Sequence, residues 1–245
     1  MPALLIGSLV ACSGDDDDTS AGSSTTTSTT ASSTSTSTSA PATGCTGPAP
    51  QMSEPANQEE IVDVDGDGRR DTAWLASPDD RRELGVLTAA GGGAKVDISS
   101  ASPTALSLLV ADADLEPPVE LFVSDGRTVQ LWAFDQCSLQ PVTDAAGAPY
   151  QFDLGFRGYG TGVGCVDADG DGKRDLVGLN VTSSDDATVD WSRTIIERDG
   201  LRASNGATDT GRFQQGQDAG EIELLYGVTC GDLTMNRDGI RQPEP

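Results

Sequence analysis

The chain contains no histidine in its 245 residues, and that single absence removes a large body of chemistry. Ser-His-Asp and Cys-His nucleophilic systems are excluded, together with histidine metal sites and the commonest general base. Neither a GxxxxGK[ST] phosphate loop nor a GxSxG nucleophile turn occurs. Aromatic residues are only 4% of the chain. Trp74, Trp132 and Trp191 fall in strand-like runs, where the expected use is packing between sheets; a sugar-stacking face is the sharper alternative. Basic residues are also scarce, with 15 Lys and Arg against 39 Asp and Glu, for a net charge of −24. Nucleic acid and anionic membrane surfaces are repelled by such a chain, whereas metal cations and basic surfaces are not. Long apolar runs are missing as well. The N-terminal ALLIGSLVAC is too short to span a bilayer, and no other segment is a better candidate.

That short run ends in Leu9-Val10-Ala11-Cys12, which resembles a bacterial lipobox. The resemblance implies a signal peptide over 1–12, with Cys12 acylated. The basic residues that open a signal peptide are absent, which leaves the start codon open. Residues 13–44 hold Ser, Thr, Asp and small residues with no aromatic or large aliphatic side chain. They cannot bury enough apolar surface to offset their ordering entropy, so they read as a disordered tether, either bare or O-glycosylated. Residues 45–245 remain for one folded domain. The expected location is the cell envelope, on the outer face of the cytoplasmic membrane, with membrane contact only through the lipid. With Cys12 set aside, Cys45, Cys137, Cys165 and Cys230 are an even number in an exported chain, hence two disulfides with three pairings open. No CxxC is present, which argues against zinc.

Within the folded part, short apolar runs such as EEIVDV, TAWLAS, ELGVLTA, ALSLLVAD, VELFVSDG, TVQLWAF, GVGCVD, DLVGLNV, TVDWSRTIIER and IELLYGVTC alternate with Gly, Pro, Asp and Asn. Their lengths suit strands, and no segment carries a long 3.6-residue apolar period. Asp125-Gly126 and Asp199-Gly200 sit between runs as hairpin turns. The expected class is all-β.

A repeat refines this. VDVDGDGRRDTAWL from Val62 aligns with VDADGDGKRDLVGL from Val166, and ADADLEPPVELFV from Ala111 follows in step, with Asp112, Asp114, Glu116 and Glu120 at its acidic positions. A weaker fourth echo, CGDLTMNRDGI, places Asp232, Thr234 and Asn236 in the first three slots. The leading acids Asp63, Asp112, Asp167 and Asp232 are 49, 55 and 65 residues apart, room for about four short strands each. Four-strand repeats of this length are propeller blades, and three with a stub fall below the usual minimum of about four. The expected architecture is therefore a small or incomplete β-propeller, one closed by segment 45–60, or one completed by another chain.

In the first copy, Asp63, Asp65, Asp67, the Arg69 carbonyl and Asp71 alternate so that a tight loop can aim successive oxygens at one centre. The second strong copy offers Asp167, Asp169, Asp171, the Lys173 carbonyl and Asp175. Gly66, Gly68, Gly170 and Gly172 supply positive φ. Several hard carboxylate oxygens point to Ca²⁺ rather than Mg²⁺. An EF-hand is a poor fit, because position 12 is Trp74 or Gly178 and the flanking runs are strand-like. The copy at Asp112, Asp114, Glu116 and Glu120 has lost both glycines, to Leu115 and Pro117, and so does not easily make the same turn. It is the weaker calcium candidate, and the copy at Asp232 is weaker still.

The string FRGYGTGVGCVDADGDGKRDLVGLN, from Phe156 to Asn180, resembles an FG-GAP/VCBS repeat of integrin-α-like β-propellers, and segment 62–77 matches its second half. The resemblance implies a calcium-bearing blade with the ion in the hairpin joining the blade's first two strands. It implies no single activity. Cys165 and Cys230 each stand two residues before a leading Asp, at equivalent blade positions, which suggests that they pair and that Cys45 pairs with Cys137. The functional expectation is a non-catalytic, calcium-stabilised binding or scaffold module at the cell surface, with a protein or polysaccharide ligand. The alternative is a secreted carbohydrate-active enzyme working through an Asp/Glu pair.

Overall fold

Strand-length apolar runs separated by turn residues build three sheets. A computed structural model describes residues 44–155 and 161–244. The lipobox-like Cys12, nearly all of the tether and residues 156–160 of the family-like string lie outside the described residues. The first sheet is the antiparallel meander β1 (Ala56–Ile61), β2 (Asp71–Ala76), β3 (Glu83–Leu87) and β4 (Gly93–Asp97). The second contains β5 (Ser107–Ala111), β6 (Glu120–Ser124), β7 (Thr128–Asp135) and β8 (Ser138–Pro141), with β9 (Gln151–Asp153) also on β7. The third contains β10 (Thr161–Val166), β11 (Asp175–Ser184), β12 (Thr188–Asp199) and β13 (Arg202–Gln214). It continues through β14 (Gly227–Cys230), parallel to β10, to β15 (Leu233–Thr234). Two short helices, α1 (Ala219–Leu224) and α2 (Met235–Asp238), lie in the C-terminal part. The protein is all-β, and none of the three sheets closes on itself.

The second sheet lies between the other two, and the period of its strands shows why its sequence is so apolar. Leu108, Val110, Leu121 and Val123 pack with Ile61, Leu75, Leu84 and Val86 of the first sheet. Their chain neighbours Leu109, Ala111 and Phe122 face the other way, onto Val163, Leu176 and Ile196 of the third. Successive side chains of a strand point to opposite faces. A strand covered on both faces therefore reads as a continuous apolar run rather than an alternating one.

The last strand, β16 (Ile240–Arg241), returns to β5 instead of completing the third sheet. Just beyond it, Gln242 joins two sheets. Its Nε2 donates to the Ala76 carbonyl at 3.1 Å, and its Oε1 accepts from the Leu106 amide at 3.0 Å. Segment 45–60 leads into β1, whose partner is β2, and adds nothing to the third sheet. Both disulfides are formed, Cys45–Cys137 and Cys165–Cys230.

Trp74 is buried, as core packing requires, and covers Gly85 on the next strand so closely that a Cβ there would sit 1.9 Å from its ring. The expected turns at Asp125-Gly126 and Asp199-Gly200 are present, with Gly126 and Gly200 at φ 81° and 58°. One expected strand is corrected. In IELLYGVTC only GVTC is a strand; Ile222, Glu223 and Leu224 belong to α1, and Gly227 at φ 87° breaks the run.

Candidate metal centre: three acidic loops in register

The same connection recurs in each sheet. Residues 62–70 join β1 to β2, residues 112–119 join β5 to β6, and residues 167–174 join β10 to β11. In each loop three carboxylates converge: Asp63, Asp65 and Asp71; Asp112, Asp114 and Glu120; Asp167, Asp169 and Asp175. Within each trio, ligand oxygens lie within 4.8 Å of one another. Two oxygens each about 2.4 Å from one calcium ion can be no further apart than that, so the separation suits a shared hard cation.

The loops are built by their own acids. Asp63 accepts the Gly66 amide at 2.8 Å through Oδ1 and the Gly68 amide at 2.6 Å through Oδ2. Asp167 repeats this with Gly170 at 2.7 Å and Gly172 at 3.1 Å. The four glycines hold φ between 77° and 86°, the left-handed region that tight turns of this kind need. The last acid of each trio anchors the start of its loop. Asp71 accepts the Val64 amide, Glu120 the Ala113 amide and Asp175 the Ala168 amide, each at 2.8 Å across seven residues. Asp71 also takes the Ala89 amide at 2.8 Å, and Asp65 takes the Cys45 amide at 2.6 Å, which ties the disulfide to the first loop.

Asp67 and Asp171 fall outside the trios. Asp67 is engaged by the Arg69 side chain at 2.6 Å, and that guanidinium holds its carboxyl below the usual range; Asp171 caps the Lys173 amide at 2.7 Å. Burial pushes the Asp71 carboxyl up, with the charges of Asp65 and Asp63 adding to the effect. Asp112 is raised in the same way, by burial and then by Asp114. Among the described residues, no guanidinium or ammonium pairs with the trios of the first and third loops. Each gathers three like charges without an ion pair of its own, and in the first loop the exposed Arg69 guanidinium, paired with Asp67, is felt by Asp65 and Asp71 only at a distance.

No protein-family model, curated protein or solved structure matches the chain.

The second loop departs from expectation. Loss of both glycines does not prevent the trio from forming, because Leu115 itself adopts φ 61° where Gly66 and Gly170 stand in the other copies. Leu115 is 54% exposed, so its side chain meets no obstacle there. Glu116 is outside the trio, and its place in the expected ligand set is not filled by its carboxylate. The fourth copy builds no such loop. Asp232 lies in the tight β14–β15 turn, Thr234 in β15 and Asn236 in α2. A residue that the repeat pattern did not single out, Arg198 of β12, enters the second loop.

The hydrogen bonds to Asp71 give a test of the scaffold that needs no metal. Asp71→Ala strips acceptors from two amides, at least one of them buried, and should destabilise the domain by about 1–3 kcal/mol in EDTA. Asp71→Asn, which keeps one acceptor oxygen, should cost less in urea unfolding. Equal losses for the two substitutions would show that the amides do not depend on this side chain.

Proposed function

We propose that the protein is a non-catalytic, calcium-stabilised binding or scaffold module of the FG-GAP/VCBS type, in which each sheet is a blade of a small or incomplete propeller. The observation that carries this reading is the convergent carboxylate trio, without an ion pair, in the first-to-second-strand hairpin of the first and third sheets. Like charges held within 4.8 Å oppose folding unless a cation joins them, and the donors are hard oxygens of the kind calcium selects. Calcium in these hairpins crosslinks two strands and the segments tied to them, Cys45 in the first and the β10–β14 pair in the third. Its role is structural, and the ligand of the module is a surface protein or a polysaccharide. In the same reading Cys12 carries the lipid that holds the domain at the envelope, with residues 13–44 as its tether.

Thermal unfolding in Ca²⁺, Mg²⁺ and EDTA tests it. An ion that binds only the folded state adds about 2.7 kcal/mol at a hundredfold excess over Kd. For a domain of this size that raises Tm by roughly 5–10 °C. Magnesium should do less, since it gives up its water reluctantly. Asp65→Asn and Asp169→Asn should each remove part of the calcium shift. A wild-type Tm indifferent to calcium would sink the proposal.

A further inference from the structure

The second loop has the trio but lacks the charge problem. Arg198 reaches it from β12 of the third sheet, with its side chain only 3% exposed. Its Nε donates to Asp114 Oδ2 at 2.8 Å and its Nη2 to Asp114 Oδ1 at 3.0 Å, a two-pronged fork on one carboxylate. Nη2 lies 2.6 Å from Glu120 Oε1 and donates to the Glu116 carbonyl at 2.9 Å, while Nη1 donates to the Pro118 carbonyl at 3.0 Å. One cation thus gathers two carboxylates and two backbone carbonyls of the loop, and its Nη1 also reaches the Gly200 carbonyl at 3.4 Å. These are the donor types that a hard divalent ion collects from an acidic loop.

Burial sets the demand on this cation. Glu120 is 0% exposed, and burial pushes its carboxyl up to about 8 with the Arg198 charge acting against the rise; its Oε1 has no aligned hydrogen-bond donor and meets Arg198 Nη2 instead. An arginine stays charged at any pH the fold meets, and its planar fork matches a carboxylate. Removing one partner of a buried pair leaves the other uncompensated. The sequence changes in this loop agree. Gly68 and Gly172 donate amides to Asp63 and Asp167, whereas Pro117, in the same position, has no N–H to give. Asp112 Oδ1 is correspondingly buried without a hydrogen-bond partner. The turn that wraps the leading acid in the other copies has been relaxed, and the guanidinium takes over the centre.

We infer that Arg198 is the resident cation of the second loop, a built-in substitute for a metal ion, so that the chain binds two divalent ions and not three. The inference rests on the calcium reading of the first and third loops. It adds that the junction between the second and third sheets is held by a charge no chelator removes. Chelation then loosens the outer two hairpins and leaves the central one intact.

Counting Ca²⁺ per chain by native mass spectrometry, with calorimetric titration of CaCl₂, tests this on the full chain. Wild type should bind two ions, Asp65→Asn and Asp169→Asn one each, and Asp114→Asn still two. Arg198→Met should melt below wild type in EDTA, bind a third ion, and regain more Tm on adding calcium than wild type gains. Three ions on wild type, a lower count in Asp114→Asn, or a folded Arg198→Met that stays at two would each overturn the inference while leaving the calcium reading standing. If Arg198→Met does not fold, the Asp114→Asn count decides. A wild type that binds no calcium overturns the calcium reading and this inference with it.

Discussion

Between pH 4.5 and pH 2 the domain is expected to lose on the order of 3 kcal/mol of stability through one side chain, Glu83. Glu83 is 3% exposed in the first sheet. Burial alone raises its carboxyl, but hydrogen bonds from Lys95, Trp74 and Ser53 outweigh that and hold it at about 2. Lys95 Nζ lies at 2.8 Å, Trp74 Nε1 at 3.0 Å, and the Ser53 hydroxyl and amide at 2.7 and 3.2 Å. The folded value is depressed below the unfolded one, so the contribution is complete above pH 4.5 and disappears as the pH falls towards 2. Urea unfolding of wild type and Glu83→Gln across this range isolates it. The two stabilities should differ most near pH 6 and converge towards pH 2.5. Parallel curves would show that Glu83 is not held this way. Lys95 is 38% exposed, so added salt should trim only its share of the difference.

That cluster also shows what a sequence can and cannot disclose. β5 and β6 of the second sheet were legible because both their faces are buried, which leaves the apolar stretches LLVA and LFV within SLLVA and ELFVS. The acidic hairpins were legible because glycine spacing and alternating acids encode a local turn, and the bonds that close the turn itself span seven residues or fewer. β13 was not legible. Its thirteen residues, RASNGATDTGRFQ, pair with β12 along the strand, meet Thr143 at the Arg202 end and are mostly exposed, so no apolar alternation marks them as a strand. Glu83 reads as an ordinary acid at a strand start. Its partners Ser53 and Lys95 are 30 and 12 residues away, Lys95 brought to it by the β3–β4 register and Ser53 by the segment before β1.

Arg198 marks the same boundary more sharply. It stands 84 residues from Asp114, in the run TIIERDG, where a lone arginine reads as the solvated end of a strand. The replacement of the two turn glycines by Leu115 and Pro117 is visible in the sequence and makes this copy the weaker calcium candidate. The acids, however, stayed in step. Three retained carboxylates without their turn glycines describe a loop that still needs a positive charge but no longer needs to wrap an ion. That combination is a readable signal for a cation supplied from elsewhere in the chain, though it does not say which residue supplies it. Leu115 shows the complementary error. Left-handed backbone favours glycine but does not demand it where the side chain points into solvent, at a cost of about 1–2 kcal/mol.

Removing either disulfide is the other large effect to expect. The bridges close 92 and 65 residues of chain, and the entropy withheld from the unfolded state is worth roughly 4 kcal/mol for each. Cys165→Ala with Cys230→Ala, or Cys45→Ala with Cys137→Ala, should therefore lower Tm by about 10 °C. The two pairs should differ in which acidic hairpin they disturb. Cys165 and Cys230 extend the short parallel contact of β10 with β14, whose register comprises only Gly162 with Gly227 and Val163 with Val228. Cys165 also lies two residues before Asp167, so its loss should weaken calcium at the third loop. Cys45 gives its amide to Asp65, and its carbonyl accepts the Thr88 hydroxyl at 2.9 Å and the Gly92 amide at 2.9 Å. Loss of its bridge to Cys137 frees that strap and should weaken calcium at the first loop instead. Calcium titration of each double variant in an Asp65→Asn or Asp169→Asn background, where one outer loop remains, separates the two cases. Equal weakening of both loops by one pair would mean that the disulfides act on the unfolded chain alone, with no local hold on the hairpins beside them.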